Sequence, residues 1–514
     1  MEAASSLRAE FGAISSSDWE STPASVRQFL LRLLERVEQQ GEQIAALQLE
    51  NSELRTKVSA LEAENATLRE QVKRNSGNSS QPPSQDIAPG VVVKRKRPSG
   101  GRRGGQPGHA GHERFLYDVA DCIEVVDHYP AHCGVCGGGL SGSDPAPYRH
   151  QVVEIPPVLP EVVEHRFHAL VCPHCEATTR ASSSPIVAAG GYGPRLSGLV
   201  VLLSAQAHQS HAQVLCLLSE LFGVVISTGM VARLRQQFNQ VVRPAVAAAL
   251  RYVQQQAAVN MDETSFRQGN CDGQNATASK AWLWVITTAL VSHFHMSLSR
   301  GQVITTMLLG ADYPGIVGSD RAGAYNHLSL SQRQICWAHL KRDFTAIAER
   351  GGMSAEIGHA LLDIQQDVFN IWYDFRLGII GRAGLREQLA PFRYDLKQLL
   401  RQTIRRGTKG QTPLAKTART CVQILKLEPA LWTFVEQPGV EPTNNAAERA
   451  VRPAVLWRRA SFGVQSQAGA EFVANALTVI TSLRAQQRSV LDYLTDLFEA
   501  ARRGLQIPSL LPST

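Results

Sequence analysis

Apolar residues change their period several times along the chain, and each change marks a boundary. From Leu30 they fall into heptads. Leu33, Gln40, Leu47, Leu54, Leu61 and Leu68 occupy one core position, and Leu30, Val37, Ile44, Asn51, Val58, Asn65 and Val72 the other. Leucine at d, with β-branched residues and two asparagines at a, predicts a parallel two-stranded coil over residues 26–74. The flanking pairs Glu50–Arg55, Lys57–Glu62 and Glu64–Arg69 have opposite signs across such a dimer. A single helix packed on its own domain would not need that matching. Residues 1–25, rich in Ser, Ala and Glu, show no period and predict no ordered structure.

Periodicity then stops. Residues 75–118 pass through "NSGNSSQPPSQDIAPG" to "KRKRPSGGRRGGQPGHAGH", which reads as a flexible linker ending in a basic tract. Residues 190–255 return to a helical period. "HAQVLCLLSELFG" ends on Gly223 and "STGMVARLRQQFNQVV" restarts with Ser227 as its cap. This is the outline of a helix-turn-helix, and equally of any packed helical hairpin.

From residue 256 the period shortens to two. "AAVNMDET" carries Asp262 at its end, and "AWLWVITTAL" and "VSHFHMSLS" follow as antiparallel strands. "GQVITTMLLG" is helical, "GIVGSD" is a strand ending at Asp320, and "CWAHLKRDFTAIAER" is an amphipathic helix. Strand with acid, two strands, helix, strand with acid, helix is the order of a ribonuclease-H-like α/β domain, which would place Asp262 and Asp320 on adjoining strands. Residues 351–435 revert to helical period, an all-α insertion between a first catalytic part, 256–350, and a second, 436–505. The class expected is therefore multidomain α+β.

Composition sharpens this picture. The chain has 514 residues, a net charge of +7 and nine cysteines. The basic balance favours a polyanionic partner, and Lys94, Arg95, Lys96, Arg97, Arg102 and Arg103 are candidate phosphate contacts; an unbound, solvated linker would look the same. No apolar segment follows a basic start, and the longest apolar run is far short of a membrane span, so a cytoplasmic protein without membrane contact is expected. "CGVC" and "CPHC" place Cys133, Cys136, Cys172 and Cys175 in two knuckles within residues 119–185. Four thiolates on a hairpin built from "QVVEIP" and "VVEHRFHALV" suit structural zinc. Cys122, Cys216, Cys271 and Cys421 have no close partner in sequence and are expected to be buried.

Asp262 and Asp320 alone could be turn residues. As neighbours they would repel unless a cation sat between them. Two Mg2+ ions about 4 Å apart, shared by three carboxylates, suit in-line attack on a phosphodiester. The third acid is harder to find. In "PTNNAAERAVR", Asn445 as helix cap would put Glu448 in a capping box, with Arg452 one turn on, and that would fully account for a glutamate there. Cys336 and His339 form a C-x-x-H pair after Asp320, with a structural role and a role near the reacting phosphate both open.

Taken in order, "NSSQPPSQD", "GGQPGHAGH", "CGVC"/"CPHC", "HQSHAQVLCLLSELFGVVIS", "MDETSF", "SDRAGAYNHL", "CWAHLKRDF" and "NNAAERAVRPAVLWRRASFG" resemble the transposases of the insertion sequence 66 family. The resemblance runs from the zipper to near the C-terminus. It implies a DDE transposase with Asp262, Asp320 and Glu448 as catalytic and metal-binding acids, and Mg2+ or Mn2+ as cofactor. It implies cleavage that frees a 3′-hydroxyl at each element end, followed by strand transfer into target DNA. Element ends and target DNA are the implied partners, with a homodimer or larger oligomer through the coil and small accessory proteins of the element. The implied setting is the bacterial cytoplasm, on the nucleoid when DNA is bound. His339 and Asn445 would be auxiliary residues. A zinc-containing dimeric regulator without catalysis, and a nuclease that cuts without joining, are the competing readings; prolines and glycines between zipper and basic tract argue against the first.

Overall fold

The computed structural model describes residues 15–73, 79–80, 114–182 and 190–512. The basic tract from Lys94 to Arg103 lies outside them. The chain divides into two units, Met1–Lys94 and Arg95–Thr514.

The first unit is helical. A short helix, α1 (Ser16–Ser21), forms where the sequence lacks periodicity, because the Ser15 side chain caps it by accepting from the Asp18 N–H at 3.1 Å. The long helix α2 (Ala24–Lys73) follows, 50 residues in one piece. Most of its described heptad side chains are exposed: Leu47 is 61% and Leu61 57% accessible, next to Ile44, Leu54 and Val58, whereas Leu30 is half-buried.

In the second unit, residues 114–182 hold the two cysteine knuckles, and these are built alike. The Cys133 N–H donates to Gly138 O, and the Gly137 N–H donates back to Cys133 O; Cys172, Ala177 and Glu176 repeat the pattern. Gly137 and Glu176 both take the left-handed conformation this turn requires. The only strands here are β1 (Ala169–Val171) and β2 (Thr178–Arg180), paired antiparallel around "CPHC". The hairpin expected between the knuckles does not form, since "QVVEIP" is not a strand. Pro156, Pro157 and Pro160 remove three of the N–H donors that a ladder would need.

Four helices come next: α3 (Pro194–Ala205), α4 (His211–Phe222), α5 (Thr228–Val241) and α6 (Arg243–Gln254). Gly223 ends α4 in the left-handed region, and the Ser227 side chain caps α5. Cys216 on α4 and Cys271 beyond it are exposed and Cys122 half-buried, against expectation; Cys421 is buried.

The sheet has five strands: β3 (Ala258–Phe266), β4 (Ala281–Thr287), β5 (Ser292–Ser297), β6 (Ile316–Ser319) and β7 (Arg333–Ile335). Their spatial order is β5-β4-β3-β6-β7. The first three pair antiparallel, and β6 and β7 add parallel to β3. Helix α7 (Gln302–Leu309) links β5 to β6, and α8 (Trp337–Ala348) leaves β7. β7 is not legible in the sequence, because its Arg333 and Gln334 are polar. Both are buried, and their side chains bond to Asp320 O and to the backbone of Leu431 and Phe434.

Residues between α8 and the last helices form no strand. They fold as α9 (Gly352–Arg376), α10 (Arg382–Arg405), α11 (Pro413–Lys426) and α12 (Thr433–Glu436) over one apolar core that includes Trp337, Trp432 and Phe434. The chain returns through α13 (Asn445–Ser461), α14 (Gln467–Ala485) and α15 (Val490–Arg503). Alternation along β3 and β4 splits the sheet's faces. Phe266, Leu283 and Val285 pack with α13 and α14, whereas Met261, Trp284 and Ile286 pack with α6 and α7. The edge strand β5 is shielded by α14, whose Thr478 and Ser482 hydroxyls accept from the Phe294 and Ser292 N–H groups.

Candidate active site

β3 is longer than the sequence implied. It runs past Asp262 to Phe266 against β4, but its parallel pairing with β6 stops at Asn260 opposite Gly318. Carrying that register two residues further sets Asp262 level with Asp320, where the two strands diverge. Asp262 therefore sits where parallel pairing ends, not at a strand end.

Its neighbour Glu263 points to the other face and is already satisfied. Arg300 Nε donates to Oε1 at 2.9 Å and the fully buried Tyr325 hydroxyl donates to Oε2 at 3.0 Å. Glu263 is thus a structural acid. Asp262 has no such ion pair among the described residues. Burial first, then the carboxylates of Glu263, Asp320 and Glu448, hold its carboxyl well above the usual range. Asp320 Oδ1 accepts the Ala322 N–H at 2.8 Å, a turn bond that fixes the carboxylate. The following residue, Arg321, clamps Asp343 of α8 with two donors at 3.0 and 2.6 Å, tying this loop to the helix.

Glu448 arrives on the first turns of α13. The sequence pattern points to Asn445 as its cap. The cap is Asn444, and it makes no side-chain capping bond. Its amide Nδ2 instead donates to Met261 O at 2.7 Å, beside Asp262, and its backbone N–H donates to Cys336 Sγ at 3.1 Å. The Cys336 N–H in turn reaches Ser319 O, beside Asp320. This fully buried asparagine thus links the strand of each aspartate to the helix of Glu448. No capping box forms, since the Glu448 N–H bonds to Asn444 O as an ordinary helical residue. Asn445 lines a separate cleft of about 280 Å³ with Trp372, Tyr373, Arg376 and Arg449.

His339, on the first turn of α8, places Nδ1 3.3 Å from Glu448 Oε1, and Arg342 Nη2 lies 3.9 Å from the same oxygen. Burial, opposed by Arg342 and reinforced by Asp320, raises the Glu448 carboxyl. Burial and then Arg342 push His339 down to about 4, and burial pushes the Cys336 thiol up to about 11.

Asp262, Asp320 and Glu448 thus influence one another electrostatically, while Glu448 also meets Cys336 and His339. Asn444 and Arg342 were missed. Adjacent asparagines carry the same capping signal, and only the tertiary bond to Met261 distinguishes them. In the cysteine region, Cys133 and Cys136 adjoin, as do Cys172 and Cys175, and backbone hydrogen bonds of each knuckle, from Cys136 first at Cys133 and from His174 first at Cys172, lower the thiol of its first cysteine. Among the described residues the two pairs do not converge into one group of ligand atoms. No helix among them is long and apolar enough to cross a membrane.

Comparison with known proteins bears on all of this. The transposase IS66 family matches residues 190–472, the zinc-finger binding domain of that transposase matches residues 130–176, and a family of unknown function matches residues 34–115. Two uncharacterized proteins of Sinorhizobium fredii are similar to the chain. One, y4hP, is 23% identical over 406 residues, 73% of this chain and 71% of that protein. The other, y4qI, is 24% identical over 317 residues, 56% of this chain and 57% of that protein. The zinc-finger match supports structural zinc, and with the transposase match it supports DNA as a partner. With the transposase match alone spanning more than half of its length, the chain belongs to the IS66 family of transposases.

Proposed function

We propose that the protein is a DDE transposase that cuts its element's DNA ends and joins them to target DNA, with Asp262, Asp320 and Glu448 as the catalytic acids. The observation that carries this reading is the register of β3 and β6, whose last pair, Asn260 opposite Gly318, lies two residues before each aspartate. The strand order, three antiparallel strands with two parallel additions, supports reading the sheet as ribonuclease-H-like. The all-helical segment between α8 and α13 is the insertion that carries the chain back to Glu448.

The three carboxylates fit divalent cations. Asp262 is crowded by like charge and, among the described residues, has no salt-bridge partner, unlike Glu263 with Arg300. Bound Mg2+ or Mn2+ would neutralise this charge, activate the attacking oxygen and stabilise the leaving one. The chain's own groups do the rest. Asn444 sets the distance between β3 and Glu448, and the Arg321–Asp343 pair fixes the loop that presents Asp320. Arg342 adds positive charge beside Glu448, where a phosphate would approach. Water and then the freed 3′-hydroxyl serve as nucleophiles, so no protein–DNA covalent link is needed.

The other parts bring DNA to this site. Lys94–Arg97, Arg102 and Arg103 would bind phosphates without reading sequence. The zinc module (119–185) and the helical segment (190–255) would contact the element ends. α2, with its unpartnered heptad stripe, would pair two chains so that two ends are held together.

The test is strand transfer in vitro with labelled element ends, target DNA and Mg2+ or Mn2+. Joined products that vanish in Asp262→Ala and Asp320→Ala, with end binding retained, are expected. Nicked ends without joined products would make the protein a nuclease only, and binding without cleavage would leave a regulator.

A further inference from the structure

The first turn of α8 holds ligand atoms that the three acids do not account for. Cys336 caps this helix and His339 lies one turn on, so both side chains leave the same end of it. Glu448 approaches from α13. The Cys336 sulfur, a His339 ring nitrogen and a Glu448 carboxylate oxygen lie within 4.8 Å of one another. Among the described residues this is the one such group of three.

Two details point to an occupant. His339 Nδ1 and Glu448 Oε1 face each other at 3.3 Å, yet both are buried and neither has a hydrogen-bond partner. A shared proton would draw them into a hydrogen bond, and the geometry is off that line. A cation between them would satisfy both. Asn444 Oδ1, on the residue that bonds Cys336, is likewise buried and unpartnered. The donor set also selects the ion. Magnesium prefers oxygen donors alone, whereas a thiolate, an imidazole and a carboxylate with one open position suit zinc-class ions.

We propose that Cys336, His339 and Glu448 form a site for one zinc-class transition-metal ion, separate from the cysteine knuckles, and that filling it withdraws Glu448 from the two aspartates. The thiol gives up its proton on binding, so occupancy rises with pH. The second half of the proposal rests on Glu448 being a catalytic acid; the first does not. The site would make the transposase sensitive to free zinc, with the same glutamate serving either ion.

The test uses the full chain with its knuckles preloaded with zinc, titrated with Co2+ and read by absorption. One equivalent should bind with tetrahedral ligand-field bands and a thiolate-to-cobalt band in the near ultraviolet. Cys336→Ser should lose the thiolate band, and Glu448→Gln, a change at a partly exposed side chain, should weaken binding by at least about tenfold. Melting curves of both variants confirm that they fold. No thiolate band in the wild type, or the same band in Cys336→Ser, would overturn the site. Zinc should also inhibit magnesium-dependent cleavage by the wild type. Cobalt binding without zinc inhibition would keep the site and overturn the withdrawal of Glu448.

Discussion

The region around the sheet and the region around α2 and the knuckles use their side chains in opposite ways. At the sheet, polar groups are held by contacts within the chain: Asn444 by Met261 and Cys336, Glu263 by Arg300 and Tyr325, Arg321 by Asp343. Along α2, leucines and valines stand exposed, and in the knuckles the four thiols are free of disulfides. The first region is held together by its own contacts. The second is the one to which the proposed function assigns a second chain, zinc and DNA. Substitutions should therefore act differently: at the sheet they remove chemistry and spare assembly, and in the other region they remove assembly and spare chemistry.

The largest effect is expected at the acids. Asp262→Asn or Asp320→Asn should lower cleavage by about a thousandfold or more, read on labelled ends, while the variants stay folded and end binding holds. Next comes the zinc module. Cys172→Ser should remove the zinc held by the knuckles, lowering the zinc measured per chain, and weaken end binding, without altering the melting of the sheet region. Third is the coil. Leu47→Lys with Leu54→Lys should convert a dimer to a monomer by light scattering, leaving single-end cleavage but not paired-end joining. If that variant stays dimeric, α2 is not the contact between chains.

A smaller effect is expected at Asn444. Asn444→Ala removes the bond to Met261 O and should cost about 1–3 kcal/mol of stability in denaturant unfolding. It should also raise the Mg2+ concentration needed for cleavage, which a merely structural loss would not do. The smallest concerns pH. The Asp262 carboxyl is raised in the folded chain, so its ionisation disfavours that state. Metal-free protein should lose stability as pH rises from the unfolded carboxylate range through the raised value. Mg2+ should restore it at neutral pH and not in acid, and Asp262→Asn should melt higher than wild type without metal.

Much of this was open to reading from sequence, and the reasons it failed in places are physical. Heptads and C-x-x-C knuckles are local, so spacing alone reveals α2 and the four cysteines. The strand order and the two aspartates follow from period and position. Glu448 was locally undecidable, because an acid in the first turn of a helix has an ordinary explanation. Asn444 was mistaken for its neighbour, since its role depends on a strand 183 residues away. β7 was missed because buried Arg333 and Gln334 hide a strand behind polar letters. The expected hairpin between the knuckles overlooked its prolines.

The central claim, that Glu448 completes a metal site with Asp262 and Asp320, is tested most directly by Glu448→Gln. Glutamine keeps the size and the helix start and removes only the charge. The account predicts a folded variant that binds element ends normally and whose cleavage in Mg2+ falls by about a thousandfold or more. Cleavage near the wild-type rate would show that Glu448 is an ordinary helix glutamate.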